Sequence, residues 1–348
     1  MSEITINLKS AIDNSYKVII ENGANQQIPA FLQKSKLGQK YAIITDSKVE
    51  KLYGASFARF LKKNGIECEL FSFPDGETSK NLKTIENLAA QMIEKSFDRK
   101  DAILSLGGGV VGDMSGFLSS IFMRGISYIQ IPTTLLAMVD ASLGGKTGVD
   151  MSEGKNLLGT FHQPKAVFID PTYLKTLSPK QIRNGLAEVI KCSIIKDEKL
   201  FKFIEDNLSK ILSLEPKTLN KIIEQTVKIK AKIVEKDEKE NEERMLLNYG
   251  HTFGHAIEKA SEFKLLHGYA ISIGMVLANK MAVEKKLLDK KSAERIKKLI
   301  TKAELPIATM KIPTLKDLAS DKKKSAKVIN FILPTKIGKA VIYPEKCL

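Results

Sequence analysis

Cysteine is scarce. Cys68, Cys192 and Cys347 are the only three in 348 residues, an odd number at spacings that match no zinc or redox motif, so a disulfide framework and a thiolate metal site are excluded and a reducing compartment is expected. Any metal must then be held by imidazoles and carboxylates. The opening Met1-Ser2-Glu3-Ile4-Thr5 lacks the basic and apolar regions of a leader, so a cytoplasmic location is expected. Long apolar runs are also missing. The nearest, residues 103–123, carries Asp113 and five glycines, the pattern of a strand, a glycine loop and a buried helix rather than of a membrane span. Arginine supplies only six of 55 basic residues, whereas base-reading surfaces favour its bidentate fork, and no nucleic-acid motif with interleaved aromatics occurs. The formal net charge of +15 is compatible with nucleic acid, a membrane surface or an anionic substrate, and charge alone does not choose among them. Runs such as Lys322-Lys323-Lys324 read as solvated faces.

The length exceeds what one ordinary core fills, and the pattern changes character halfway. Residues 41–45, ending at Asp46, read as a buried strand, 53–62 as a helix and 66–73 as a second strand, one βαβ unit. Residues 101–106 and 126–131 read as further strands, the first running into glycines and the second closing on Pro132-Thr133-Thr134. From about Ser178 long helical patterns take over at 181–195, 219–235, 245–260 and 270–286. The expectation is an α/β N-terminal domain, Rossmann-like on a largely parallel sheet, over residues 1–177, and an all-α metal- and substrate-binding domain over 178–348. Residues 328–333 and 340–343 read as two short strands around Gly338.

Gly107-Gly108-Gly109-Val110-Val111-Gly112 satisfies G-x-G-x-x-G after a predicted strand and at the opening of a helix, where backbone amides can approach a pyrophosphate. A tight structural turn is the plainer alternative. No acidic residue follows at the spacing that holds a ribose, and Asp46 at a strand end is the substitute, or else only a helix cap. Gly144-Gly145-Lys146-Thr147 is not a phosphate-binding loop, because Asp140 stands where that motif needs glycine. The segment from Asp140 to Asn156 instead reads as glycine-flexible, presenting Lys146 and Lys155 to an anion, or as a mobile surface loop.

Three of the four histidines, His251, His255 and His267, fall within seventeen residues. His251 and His255 are four apart, on one helix face. Glu188 lies on an otherwise apolar helical stretch, where a lone carboxylate needs a partner. That partner is either Lys191, three residues on, or a metal. One carboxylate and two imidazoles with an open position make a catalytic zinc arrangement, and the spacing leaves open which two histidines are used. Arg244 and Asn248 precede His251 by seven and three residues, so helical periodicity places them on its face. Arg244 there forks onto a carboxylate or phosphate, or pairs with Glu242 or Glu243 at the surface.

Taken together, Leu106-Gly107-Gly108-Gly109-Val110-Val111-Gly112-Asp113, Ile131-Pro132-Thr133-Thr134, Val139-Asp140-Ala141-Ser142, Gly144-Gly145-Lys146-Thr147-Gly148, Gly154-Lys155-Asn156, the stretch from Gly185 to Lys191 and that from Leu247 to His255 resemble the 3-dehydroquinate synthase family of sugar-phosphate cyclases. Order and spacing agree from about Asp46 to Gly338. The resemblance implies a cytoplasmic homodimer that uses NAD and one divalent metal, zinc or cobalt. It converts 3-deoxy-D-arabino-heptulosonate 7-phosphate to 3-dehydroquinate and phosphate by transient oxidation, phosphate elimination, re-reduction and aldol closure. It implies metal ligands Glu188, His251 and His267, which moves His255 to the substrate side. It implies NAD contacts at Asp46, Asp75, Gly76, Glu77, Thr78, Ser79, Lys80, Gly109, Val110, Val111, Gly112, Asp113, Thr133 and Thr134, with Lys146 and Lys155 beside them. Substrate contacts are implied at Asp140, Lys146, Asn156, Lys191, Lys230, Arg244, Asn248 and His255, with Arg124 reaching the phosphate, in one reading from the other subunit. Lys322 is a weaker correspondence. The competing readings on this architecture are a metal-dependent polyol or alcohol dehydrogenase and another sugar-phosphate cyclase.

Overall fold

The computed structural model describes residues 13–262, 264–309 and 328–346. Its centre is a six-stranded, wholly parallel sheet built from β1 (Lys17–Ile20), β2 (Tyr41–Asp46), β3 (Cys68–Phe73), β4 (Ala102–Gly107), β5 (Ser127–Pro132) and β8 (Ala166–Ile169), in the order β1-β8-β5-β4-β2-β3. Its strands are nearly continuous apolar runs because both faces are covered. Alternate residues divide between two cores: Ile43, Leu104 and Ile131 on one face, Ile44, Ile103 and Tyr128 on the other. The connecting helices are α1 (Ile28–Ser35), α2 (Ser47–Val49), α3 (Ala55–Lys63), α4 (Leu82–Glu94) and α5 (Gly109–Ile121). The strand order reverses between β2 and β4, and the crevice beyond their carboxyl ends is where such sheets bind ligands.

A helical part follows: α6 (Pro179–Lys196), α7 (Glu198–Leu212), α8 (Pro216–Lys236), α9 (His251–Ala260), α10 (His267–Glu284) and α11 (Lys290–Lys302). Ser178 caps α6 and Pro179 opens it, a standard helix start. The apolar cluster on one sheet face runs without interruption into this part, joining Ile43 and Leu104 to Leu186, Ile223 and Ile271. The tail returns as the antiparallel hairpin β9 (Val328–Lys336) and β10 (Lys339–Lys346), longer than its apolar pattern alone indicates. The Gly338 amide donates to the Ile194 carbonyl at the end of α6 (2.8 Å).

Three expectations change, and two strands are added. The helix read over 53–62 begins earlier, because Asp46 caps Ser47 onward and a π-type turn, Glu50–Gly54, joins α2 to α3. The four-residue strands β1 and β8 carry no distinguishing pattern in sequence, yet they complete the sheet by pairing with each other. The Asp140-to-Asn156 segment is not a loop. After a turn at Ala137–Ala141 it enters an antiparallel hairpin, β6 (Lys146–Met151) with β7 (Gly154–Phe161). The helix read over 245–260 is broken: a 3-10 turn, Glu243–Asn248, ends at Tyr249, Gly250 takes φ +79°, and α9 starts at His251. Arg244 and Asn248 therefore do not share a helix with His251. Lys322 lies outside the described residues.

At the seam between sheet and helices, a Cβ added to Gly185 on α6 would lie 2.5 Å from the Leu136 backbone nitrogen and 2.7 Å from the Leu135 Cβ. A main-chain nitrogen and a Cβ fixed to the main chain cannot rotate away. Gly185→Ala is therefore expected to destabilise the fold by about 1–3 kcal/mol through overpacking. Chemical denaturation checks this, and an unchanged midpoint would contradict the close approach.

Candidate active site

The carboxyl ends of β2, β4 and β5 deliver the first group of residues. Asp46 closes β2, and its Oδ1 accepts from the Lys48 and Val49 amides (2.9 and 2.8 Å), so its capping role is real whatever else it contacts. Asp75 and Ser47 bond reciprocally at 3.1 Å. Gly76 (φ +106°) leads into the turn Glu77–Ser79, which presents Thr78 to Lys80 beside this crevice. Gly109, Val110, Val111, Gly112 and Asp113 form the first turn and more of α5, whose opening amides have no partners within the helix. Thr133 donates its amide to the Gly107 carbonyl (2.8 Å), and the Thr134 hydroxyl accepts from Ala137 (3.2 Å).

Lys80 ties this group to the hairpin. Its buried ammonium bonds Asp113 (2.6 Å) and Asn156 Oδ1 (2.5 Å), while the Asp150 amide donates to the Lys80 carbonyl (2.8 Å). Burial works against the charge, but Asp113, with Glu77 behind it, holds the ammonium above the ordinary lysine value. Lys155 then reaches from β7 to Glu77 (3.3 Å) and to Glu258 on α9 (3.9 Å). The hairpin thus links the sheet side of the crevice to the helical side.

On the helical side Glu188 is fully buried on α6 and forms an ion pair with Lys191, the partner that helical spacing indicates. Yet neither of its oxygens finds a hydrogen bond of ordinary geometry. His251 Nε2 and His267 Nε2 face its Oε1 at 3.8 and 3.5 Å, near the separation of about 3.4 Å between donors lying about 2.1 Å from a tetrahedral ion. The facing atoms of Glu188, His251 and His267 all lie within 4.8 Å of one another. The i,i+4 pair does not converge on Glu188 in this way. The His255 ring stands 5.3 Å from that of His251 but groups instead with Glu258 and His267. Burial and the neighbouring Lys191 cation hold His251 well below its ordinary pKa, in its neutral form. Burial raises a carboxyl's pKa, but Lys191 and His267 together outweigh it and keep Glu188 ionised, while Glu188 and Asp140 in return hold the Lys191 ammonium above the usual lysine value.

Between the two groups lies a cationic wall. Lys230 on α8 donates to the Asp140 carbonyl (2.6 Å) and carboxylate (2.5 Å). Arg244 is buried and makes no surface pair with Glu242 or Glu243. It instead donates to the carbonyls of Glu238 and Gly144, the latter at 3.0 Å. Lys146 pairs with Glu240, which also accepts from Asn248 (2.6 Å). Arg124 does not join the cluster, being exposed in the turn Phe122–Arg124 with φ +71°.

Two residues escaped the sequence reading. Glu258 had a legible signal, since it lies three and seven residues after His255 and His251 on the same helix face. Glu240 had none, sitting in a charged run whose default is a solvated surface.

Lys80→Met is expected to lower the unfolding free energy by about 2 kcal/mol by leaving the half-buried Asp113 without its cation, and adding Asp113→Asn to recover about 1 kcal/mol. Strictly additive losses in a double-mutant cycle would refute this coupling.

Comparison with known proteins accords with this geometry. Residues 70–184 match the 3-dehydroquinate synthase N-terminal family and residues 185–325 the 3-dehydroquinate synthase C-terminal family. A 3-dehydroquinate synthase from Prochlorococcus marinus is 45% identical over 341 residues, covering 96% of this chain and 94% of its own. Among solved structures, the 2-epi-5-epi-valiolone synthase of Streptomyces hygroscopicus subsp. jinggangensis, with NAD+ and Zn2+ bound, superposes with a TM-score of 0.89 at 29% identity over 98% of this chain and 96% of its own. A 2-deoxy-scyllo-inosose synthase complexed with carbaglucose-6-phosphate, NAD+ and Co2+ gives 0.86 at 26% over 95% and 94%. With both family matches tiling residues 70–325 and that relative spanning nearly its full length, this chain belongs to the 3-dehydroquinate synthase family.

Proposed function

We propose that this chain converts 3-deoxy-D-arabino-heptulosonate 7-phosphate into 3-dehydroquinate and phosphate, a phosphate-eliminating cyclisation, with NAD and one divalent metal, zinc or cobalt, as its cofactors. The observation that carries this reading is the convergence of Glu188, His251 and His267 on one point, 3.5 and 3.8 Å apart, across a crevice from the glycine turn that opens α5. The donor set fits a divalent ion: two buried carboxylate oxygens without an ordinary hydrogen bond and a neutral imidazole, with a position left for substrate oxygens. When bound, NAD supplies a reversible hydride acceptor and the metal polarises hydroxyl and carbonyl oxygens.

The chain's own residues divide the remaining work. Asp46, Asp75–Lys80, Gly109–Asp113 and Thr133–Thr134 would hold NAD, with the opening amides at the α5 N-terminus suited to its pyrophosphate, on a cofactor domain over 1–177 beside a substrate domain over 178–348. Asp140, Lys191, Lys230 and Asn248 orient the substrate hydroxyls. Lys146, Arg244 and His255 neutralise and hold the phosphate beside the Asn156 amide, with Arg124 of a second copy in a homodimer. That cationic wall keeps the departing phosphate positioned, so that it can itself take up the proton released beside the new carbonyl. It also accounts for a small anionic sugar phosphate as substrate, with neither nucleic acid nor membrane as partner, and among the described residues no helix is long and apolar enough to cross a membrane.

His251→Ala and Glu188→Ala are each expected to abolish bound metal and turnover while leaving the helical circular dichroism unchanged. Metal analysis and phosphate release with catalytic NAD check this. Retained metal would assign the histidines a structural role, and steady NADH accumulation without phosphate would make the chain a dehydrogenase.

A further inference from the structure

Glu258 is a carboxylate buried to 3% exposure on α9, outside every role assigned above. An ionised carboxylate in such a place must be satisfied by specific partners. Its Oε1 faces His267 Nδ1 at 3.4 Å, while the other nitrogen of the same ring, Nε2, faces Glu188 at 3.5 Å. His251 is arranged in the same way. Its Nδ1 faces the Tyr249 carbonyl at 3.2 Å and its Nε2 faces Glu188. A carbonyl only accepts, so Nδ1 of His251 carries the proton and its Nε2 lone pair points inward. Each imidazole therefore has one outer acceptor and one inward nitrogen, but the two acceptors differ: one is backbone, held by the Gly250 turn, and the other is a side chain.

We infer that Glu258 is a positioning residue that holds the Nδ1 proton of His267 and so fixes the tautomer and ring angle with which His267 meets the metal. This rests on the Glu188–His251–His267 reading and deepens it. A carboxylate behind a ligating histidine raises the ligand's basicity and orients it, and removing such a group typically weakens metal binding by about 10–100-fold. The placement also gives Glu258 a second connection. Lys155, on the hairpin and in contact with Glu77 of the proposed NAD-binding turn, stands 3.9 Å from Glu258, so the outer acceptor of one imidazole is in touch with the cofactor side of the crevice.

The test is Co2+ binding to the full-length apoprotein, followed by its visible ligand-field absorption and by chelator competition, in the wild type, Glu258→Gln, Glu258→Ala and His251→Ala. The wild type is expected to bind one ion. Glu258→Ala is expected to lose about 10–100-fold in affinity with an altered absorption band. Glu258→Gln, whose amide oxygen still accepts the Nδ1 proton, is expected to fall between the two, on the order of tenfold. If Glu258→Ala does not fold, the Gln variant alone decides. Affinity within twofold of wild type and an unchanged spectrum in the Gln variant would overturn the inference. So would two ions bound by the wild type with one lost in the Gln variant, since Glu258 would then be a direct ligand together with His255. Failure of the underlying metal reading looks different: no ion taken up by the wild type, or full retention in His251→Ala.

Discussion

A carboxylate placed where water cannot reach governs this structure. Glu188 sits on α6 among apolar side chains, and an uncompensated charge there would carry a penalty of several kcal/mol. Its surroundings are arranged to meet that demand. Lys191 is supplied from the next turn of the same helix, and His251 and His267 come from the starts of two other helices. Three helices must therefore dock correctly before the charge is satisfied, which makes the fold of the helical part and the chemistry of its site one problem.

The same logic extends outward. Other charges around the crevice have partners drawn from distant parts of the chain: Lys80 with Asp113 and Asn156, Lys230 with Asp140, Lys146 with Glu240. These pairs hold the lysines in place, as the Glu238 and Gly144 carbonyls hold Arg244, which suits the wall they form to an anionic sugar phosphate without large rearrangement of donors. The hairpin β6–β7 carries the connection between the two sides, since Lys146, Lys155 and Asn156 all project from it.

How much of this could be read from the residues depends on the range of the interaction involved. The strands β2 to β5 and the change to helices near Ser178 are legible, because buried parallel strands and capped helices leave local patterns. β1 and β8 leave none, as each is four residues long and is fixed by pairing, β1 on β8 and β8 on β5. The hairpin was misread because its glycines looked like flexibility. Gly148 and Gly159 in fact oppose each other, and a Cβ on Gly159 would lie 2.2 Å from the Thr147 carbonyl, so they are there for close approach.

From the order of amino acids alone came the α/β-then-helical division, the glycine turn after a strand, the isolation of Glu188 and the resemblance that singles out the histidines, since each is written in spacing a few residues long. Tertiary structure decided which histidines face Glu188, that Arg244 is buried against carbonyls rather than paired at the surface, and that Glu240 and Glu258 belong to the crevice. Helical periodicity favours the i,i+4 pair, but a ring's nitrogens point where its backbone aims them. His251 is aimed by the adjoining Gly250 turn, itself made by tertiary packing, and His267 by the docking of α10 on α6, where the Gly268 amide donates to Asn184, 84 residues away in the chain.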